Sequence, residues 1–236
     1  MRLGKSMVGF VIGTVCILTL LLVSAFVTNK AVDVYSENIV MRNRPCVIID
    51  AGHGGVDGGA VSCTGITESQ INLEIALRLN DLMHLLGIQT YMIRTEDISI
   101  YTKGDSIAAK KISDLKQRVL LVNQMPNALL ISIHQNYFSD SRYSGAQVFY
   151  NSDPKLARQL QSAFVSTINQ GSRRKAKKAE GVYLMQNVTC PSALIECGFL
   201  SNEIEEKALR DPEYQKKLCS VIAAVVSCYI YNYGVA

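Results

Sequence analysis

Two of the three histidines in this chain of 236 residues lie where apolar runs end, and one glutamate has a similar position. The histidines are His53 and His134, and the glutamate is Glu196. Their apolar runs are Cys46–Asp50, Ala128–Ile133 and Ala193–Cys197. If these runs are parallel strands, their carboxyl ends meet at one edge of a sheet, where open α/β sheets bind ligands. Glu68 is predicted in the first turn of the helix after Thr67, from which it can reach the same edge.

Two imidazoles and one carboxylate are typical of a catalytic zinc site, which keeps its fourth position for water. We therefore expect His53, Glu68 and His134 to be zinc ligands. Zinc lowers the pKa of a bound water and polarises a substrate carbonyl. A second carboxylate is then needed as general base and proton shuttle, and Glu196 is the candidate. Asp50 is expected to orient His53 from outside the ligand set.

Each of these residues also has a simpler interpretation. A histidine at a strand end is more often a structural hydrogen-bonding group than a ligand. Glu68 at a helix N-terminus is favoured by the helix dipole alone. Glu196 is harder to explain, because a buried strand rarely carries an unpaired carboxylate. His84, which lies among leucines, is predicted to be an ordinary helix residue. Residue types and spacing therefore suggest a site without proving one.

From Pro45 onward, apolar runs alternate with helical patterns. Several of the runs are typical of strands buried on both faces. The runs are Cys46–Asp50, Ile88–Ile93, Ala128–Ile133, Ala146–Tyr150, Val182–Met185 and Ala193–Cys197. Thr67 is a predicted N-cap, and Asp153-Pro154 and Asp211-Pro212 each pair an N-cap with proline at the first helical position. The alternation predicts α/β architecture: a single three-layer sandwich with a mixed, largely parallel central sheet and flanking helices.

Four motifs occur in the order DAGHGG, ITESQINLEIALRL, ISIHQN and PSALIECGFLSN. In this order they resemble the zinc-dependent N-acetylmuramoyl-L-alanine amidases of bacterial cell walls, from about Cys46 to the C-terminus. The resemblance implies that His53, Glu68 and His134 bind zinc and that Glu196 is the catalytic glutamate.

The same resemblance implies hydrolysis of the amide that joins the lactyl group of N-acetylmuramic acid to L-alanine in peptidoglycan. A bare catalytic domain behind an N-terminal segment is most similar to sporulation and germination amidases of the CwlD type. That likeness implies action on spore cortex, where removal of the peptide lets muramic-δ-lactam form. Since no substrate-binding domain is recognised, an accessory activator protein is a further hypothesis.

Two other functions stay open on the sequence. A zinc peptidase or deacetylase that acts on another cell-wall amide would use similar ligands. A non-catalytic cell-wall-binding module is the alternative from a different class of protein. The presence of all four candidate site residues argues against this module, because a protein without activity would be free to lose them.

The N-terminal part contains an apolar run from Met7 to Val27 without a charged residue, long enough to cross a bilayer. Arg2 and Lys5 precede it, so the positive-inside rule predicts that everything after Lys30 is extracytoplasmic. A cleaved signal peptide is the alternative, since Val23-Ser24-Ala25 is a passable cleavage site. The predicted organisation is a membrane anchor or signal segment at 1–29, a linker at 30–44 and a catalytic domain at 45–236.

The charge distribution gives no reason to expect a nucleic acid partner. The net charge is +4, and Arg2, Lys5 and Lys30 account for most of it. The basic segment Arg173–Lys178 either meets stem-peptide carboxylates or a partner protein, or is a solvated loop. The seven cysteines include no CxxC pair, which excludes a zinc ribbon and a dithiol redox motif.

Overall fold

The structure is a computed structural model that describes residues 4, 15, 17–27 and 45–233. The chain divides into two compact units, Met1–Arg44 and Pro45–Ala236. In the first unit, residues 17–27 are helical and exposed. Among the described residues, no helix combines the length and the apolar character needed to span a membrane. Residues 1–3, 5–14, 16, 28 and 29 of the predicted anchor or signal segment, and the whole predicted linker, lie outside the described residues, so the domain boundaries stay a prediction.

The second unit consists of strands and helices that alternate along most of its length. Its strands are β1 (Cys46–Ala51), β2 (Gln89–Met92), β3 (Ala128–Asn136), β4 (Gln147–Tyr150), β5 (Lys177–Lys178) and β6 (Ser192–Phe199). Its helices are α1 (Glu68–Leu85), α2 (Ile107–Gln124), α3 (Lys155–Thr167), α4 (Tyr183–Asn187), α5 (Glu203–Arg210) and α6 (Pro212–Tyr233).

All of these strands form one sheet in the order β2-β1-β3-β6-β4-β5. The pairs β2/β1, β1/β3, β3/β6 and β4/β5 are parallel, and β4/β6 is antiparallel. The central strands β1, β3 and β6 are almost wholly buried, as continuous apolar runs require. The predicted α/β fold with a mixed, largely parallel sheet is confirmed.

The two faces of the sheet are covered by different helices, because side chains alternate in direction along a strand. On one face, Ile49, Ile131 and Ile195 belong to the large core that includes residues of α1, α3 and α6. On the other face, Leu130 and Leu194 belong to a smaller core with residues of α2 and α4. The result is the three-layer arrangement, with the thinner layer on the second face.

Two segments differ from the strand pattern of the sequence. Val182–Met185 does not form a strand, because the backbone turns into α4 at Tyr183 and buries Leu184 and Met185 on the sheet. A short apolar run does not by itself distinguish a strand from a helical turn. Within the basic segment, Lys177 and Lys178 pair with β4 as a two-residue edge strand. Lysines there discourage further strands from pairing with the edge.

The predicted helix starts agree with the structure to within one residue. Thr67 is the N-cap of α1, although its side chain makes no capping hydrogen bond. Pro212 begins α6, and the Asp211 carboxylate accepts a hydrogen bond from the Glu213 amide at 3.0 Å. In α3 the helix begins one residue after Pro154, and Asp153 accepts from the Lys155 amide at 2.9 Å.

Candidate active site

The sheet brings the predicted site residues to one edge. His53 lies two residues beyond β1, His134 lies on β3, and Glu196 lies on β6 directly opposite His134 in the strand register. Because β1, β3 and β6 are mutually parallel, their carboxyl ends share that edge. Glu68 is the first residue of α1, and its carboxylate reaches the same place.

Glu68 lies between the two imidazoles. Its Oε2 is 3.2 Å from Nε2 of His53, and its Oε1 is 2.9 Å from Nδ1 of His134. One ligand atom from each of the three residues lies within 4.8 Å of the others, so the cluster could hold a metal ion. Two imidazoles with one carboxylate are a donor set that suits zinc.

The Glu68 carboxylate is held in place by groups outside the cluster. The Ala60 amide donates to Oε2 at 3.0 Å, and the Gln135 amide and the Asn72 side chain donate to Oε1 at 3.1 and 3.3 Å. Burial alone would raise the pKa of Glu68, but hydrogen bonds from His134 and His53 hold it well below its usual range. The residue is therefore an ionised carboxylate, as a metal ligand must be.

The ring nitrogen of His53 that faces away from Glu68 forms a hydrogen bond with Asp57, a residue that the sequence patterns did not single out. This nitrogen, Nδ1, is 2.8 Å from Oδ2 of Asp57. Burial opposes the charged imidazole, but the hydrogen bonds to Asp57 and Glu68 raise the pKa of His53 to about 9. The expectation that Asp50 orients His53 is wrong, because the Asp50 carboxylate accepts hydrogen bonds from Arg118 and Ser132 instead.

Two glycines let the backbone approach the cluster closely. A Cβ atom at Gly52 would collide with the imidazole ring of His134. At Gly59, where φ is +70°, a Cβ would lie 2.8 Å from Cδ2 of His53. His53 itself has φ of 60°, which is unusual for a residue with a side chain. Glycine is therefore needed at positions 52 and 59 for steric reasons.

Glu196 is a buried carboxylate beside the cluster. Its Oε2 is inaccessible to solvent and has no hydrogen-bond partner in the described structure. Burial is the main cause that raises its pKa, to about 7. A carboxyl group with a pKa near neutrality can both accept and release a proton, as general acid–base chemistry requires. An unpartnered buried oxygen next to a candidate metal site also leaves room for a further polar ligand.

A cleft of about 240 Å³ is lined by His53 and His134 of the cluster and by Glu196. One wall is apolar, and its side chains come from α2, β6 and the segment of α4: Leu115, Leu194, Val182 and Leu184. Tyr183, which is 38% exposed, also lines it. Lys111, which forms an ion pair with Asp57, also lines the cleft. The cleft therefore combines an apolar wall with a few polar groups, as ligand sites commonly do.

The third histidine is not part of the site. His84 is exposed on α1, and its Nε2 is 2.6 Å from the Thr90 hydroxyl. This agrees with its interpretation as an ordinary helix residue.

Two buried arginines hold the loop that carries His53. Arg118 forms ion pairs with Asp50 and Asp114 and donates to the carbonyl oxygen of His53 at 2.7 Å. Arg94 donates to four backbone carbonyl oxygens, those of Ala51, Gly52, Ser69 and Glu96. Burial would raise the pKa of Asp50, but the Arg118 guanidinium and the Ser132 hydroxyl keep it below its ordinary value.

Arg118→Met is expected to destabilise the chain by about 3–5 kcal/mol at pH 7, because it leaves buried Asp50 and Asp114 without their counter-charge. In the wild type, the lowered pKa of Asp50 stabilises the fold above about pH 4, and this contribution is lost as pH falls through the folded pKa. In the variant, burial without Arg118 raises the Asp50 pKa. The difference in unfolding free energy between wild type and variant should therefore become smaller at acidic pH.

Urea unfolding of both proteins at several pH values measures this difference. Arg142→Met serves as the control, since Arg142 is exposed and pairs only with Asp140 in the described structure. A deficit for Arg118→Met no larger than that of Arg142→Met would contradict the structural role assigned to the buried ion pairs.

The fold and the site together define an α/β protein with a candidate metal centre at one edge of its sheet. Comparison with known proteins gives the family. Residues 47–228 match the N-acetylmuramoyl-L-alanine amidases, and the chain belongs to this family. It is therefore a peptidoglycan amidase.

Its relatives include amidases of Bacillus and Clostridioides species. The germination-specific N-acetylmuramoyl-L-alanine amidase of Bacillus subtilis is 39% identical over 193 residues, which cover 80% of this chain and 81% of that protein. The CwlD amidase of Clostridioides difficile, solved in complex with the GerS lipoprotein, superposes with a TM-score of 0.76 at 34% identity, covering 80% of this chain and 99% of that one. An N-acetylmuramoyl-L-alanine amidase of Clostridium difficile 630 has a TM-score of 0.71 at 30% identity, covering 81% and 100%.

Proposed function

We propose that this chain is a zinc-dependent amidase that cuts the bond between the lactyl group of N-acetylmuramic acid and L-alanine. The observation that carries the proposal is the His53–Glu68–His134 cluster, with the unpartnered carboxylate of Glu196 beside it in the same cleft. His53, Glu68 and His134 would hold the metal. When bound, zinc supplies a Lewis acid that polarises the scissile carbonyl and lowers the pKa of a water.

Glu196 moves the proton in this proposal. Its Oε2 accepts a proton from the attacking water, because no other group in the described structure competes for that oxygen. The same carboxyl group then donates the proton to the nitrogen of L-alanine as the amide bond breaks. Without this transfer the L-alanine nitrogen would have to leave as an unstable deprotonated amine.

The remaining walls of the cleft position the substrate and exclude water. The reacting bond lies between two methyl-bearing carbons, those of the lactyl group and of L-alanine. The apolar wall of Leu115, Val182, Leu184 and Leu194 suits such methyl groups, because their burial there is favourable. Because this wall excludes water, electrostatic interactions between the site and the charge that develops on the substrate are stronger.

We further propose that the substrate is spore cortex, that the domain acts outside the cytoplasm behind its N-terminal anchor or signal segment, and that an accessory protein assists it. The germination-specific relative from B. subtilis and the GerS complex of the C. difficile relative support these points. Peptidoglycan itself is extracytoplasmic, which is consistent with the predicted export.

Mass spectrometry of digested peptidoglycan tests the reaction. We expect the purified chain with zinc to release whole stem peptides and leave muramic acid with a free lactyl carboxylate. Cortex prepared from spores that lack the protein should contain intact stem peptides and no muramic-δ-lactam. Products shortened only at the C-terminal end of the peptide would instead identify a carboxypeptidase, and release of acetate would identify a deacetylase.

A further inference from the structure

Asp57 connects the candidate zinc site to helix α2. Its Oδ2 is 2.8 Å from Nδ1 of His53, and its Oδ1 is 2.9 Å from the ammonium of Lys111 on α2. The backbones of Asp57 and Gly54 exchange both of their hydrogen bonds, at 2.8 and 3.1 Å. The Gly59 amide also donates to Oδ1, at 3.3 Å. The carboxylate is therefore fixed by its own turn as well as by His53 and Lys111, and 19% of its side chain is exposed.

The two ring nitrogens of His53 have different surroundings. Nδ1 faces Asp57, and Nε2 faces Oε2 of Glu68 in the cluster. An ionised carboxylate can only accept hydrogen bonds, so the Nδ1 nitrogen must carry a hydrogen to bond with Asp57. In the neutral imidazole the lone pair is then on Nε2, the nitrogen that points into the cluster.

The position of His53 depends more on side-chain hydrogen bonds than that of His134 does. His134 lies on the central strand β3, where it pairs with Glu196 of β6 and directly follows Ile133, which pairs with β1. His53 lies beyond β1 in a loop, with φ of 60°, so its backbone is in a conformation that few residues adopt. Among the described residues, His134 forms a hydrogen bond with one carboxylate, that of Glu68, whereas His53 has Asp57 as well as Glu68.

We propose that Asp57 is a positioning residue, which fixes the ring orientation and tautomer of His53 so that Nε2 is presented to zinc, and that Lys111 anchors Asp57. This inference rests on the proposed zinc site and adds to it a residue that neither the motifs nor the ligand geometry single out. Carboxylates that hydrogen-bond a metal-binding histidine make the imidazole a better ligand. Lys111 is about half exposed, so its ion pair is expected to matter less than the Asp57–His53 hydrogen bond.

The test is zinc affinity of the full chain, measured by competition with a chromophoric chelator. Asp57→Ala should weaken zinc binding about 10- to 100-fold, the usual range for loss of such an outer partner. Asp57→Asn should weaken it less, since the amide oxygen can still accept from Nδ1, and Lys111→Met should have the smallest effect of the three. Asp97→Asn is the matched control, because Asp97 contacts the same loop through the Gly55 amide but not the cluster.

A second measurement separates positioning from general damage to the loop. With saturating Co²⁺ in place of zinc, Asp57→Ala should shift the visible absorption bands, because the orientation of one imidazole changes. Loss of folded protein would only lower their intensity.

The outcomes are distinct. Zinc affinity and cobalt bands of Asp57→Ala that match those of Asp97→Asn would overturn the positioning role. Weaker affinity with unchanged cobalt bands would also overturn it and would indicate a structural effect alone. If the wild-type chain binds no zinc, the proposed zinc function fails instead, whatever the variants do.

Discussion

Glu196→Gln is expected to bind zinc like the wild type and to lose about 10²- to 10⁴-fold in turnover, the range typical of a lost general acid–base group. The substitution keeps the volume and shape of the side chain but removes its ability to accept and release a proton. Because the proton transfer belongs to the transition state, kcat should fall while KM changes little. Steady-state hydrolysis of a muramoyl peptide, together with zinc analysis of the same preparation, measures both quantities.

The stability of Glu196→Gln gives a second check. The Oε2 atom of Glu196 is buried without a hydrogen-bond partner, and a buried charge without a partner is costly. A neutral amide at this position should leave the unfolding temperature unchanged or raise it. Glu180→Gln, which alters an exposed carboxylate just before α4, is the control for activity and stability. Normal turnover by Glu196→Gln would show that another group transfers the proton.

His53→Ala is expected to lose zinc and activity together, although the chain still folds. The substitution removes one of three ligands and leaves Glu68 and His134, too few for a stable zinc site. His53 lies in a loop beyond β1, outside both hydrophobic cores, so the secondary structure should not change. The expected result is a metal content near zero by elemental analysis, with a circular dichroism spectrum like that of the wild type.

Metal exchange sharpens this second prediction. Treatment with a chelator should inactivate the wild type, and added zinc should restore it, whereas His53→Ala should not recover at comparable zinc concentrations. His84→Ala is the matched control, because it removes the exposed histidine of α1 that lies outside the cluster. Full activity of chelated wild-type protein would overturn the zinc-dependent mechanism.

Local patterns were sufficient to predict the architecture. The runs around β1, β3 and β6 are apolar without interruption, which is what a strand covered on both faces requires. The Asp-Pro pairs predict where α3 and α6 begin, to within one residue, because their effect depends on neighbouring backbone groups alone. The same locality explains the errors at Val182–Met185 and at the two-residue strand β5, which are too short to show a period.

For the candidate site too, one part could be predicted from the sequence and another part depends on the tertiary structure. The sequence alone predicted which candidate residues lie together, because His53, His134 and Glu196 follow or end strands whose parallel pairing brings them to one edge. Only the tertiary structure decided which aspartate supports His53. Asp50 points from β1 towards Arg118 and Ser132, whereas Asp57 returns to His53 through the turn at Gly54. Proximity in the sequence favoured neither residue, since the direction of a side chain is determined by the strand and by the turn that follows it.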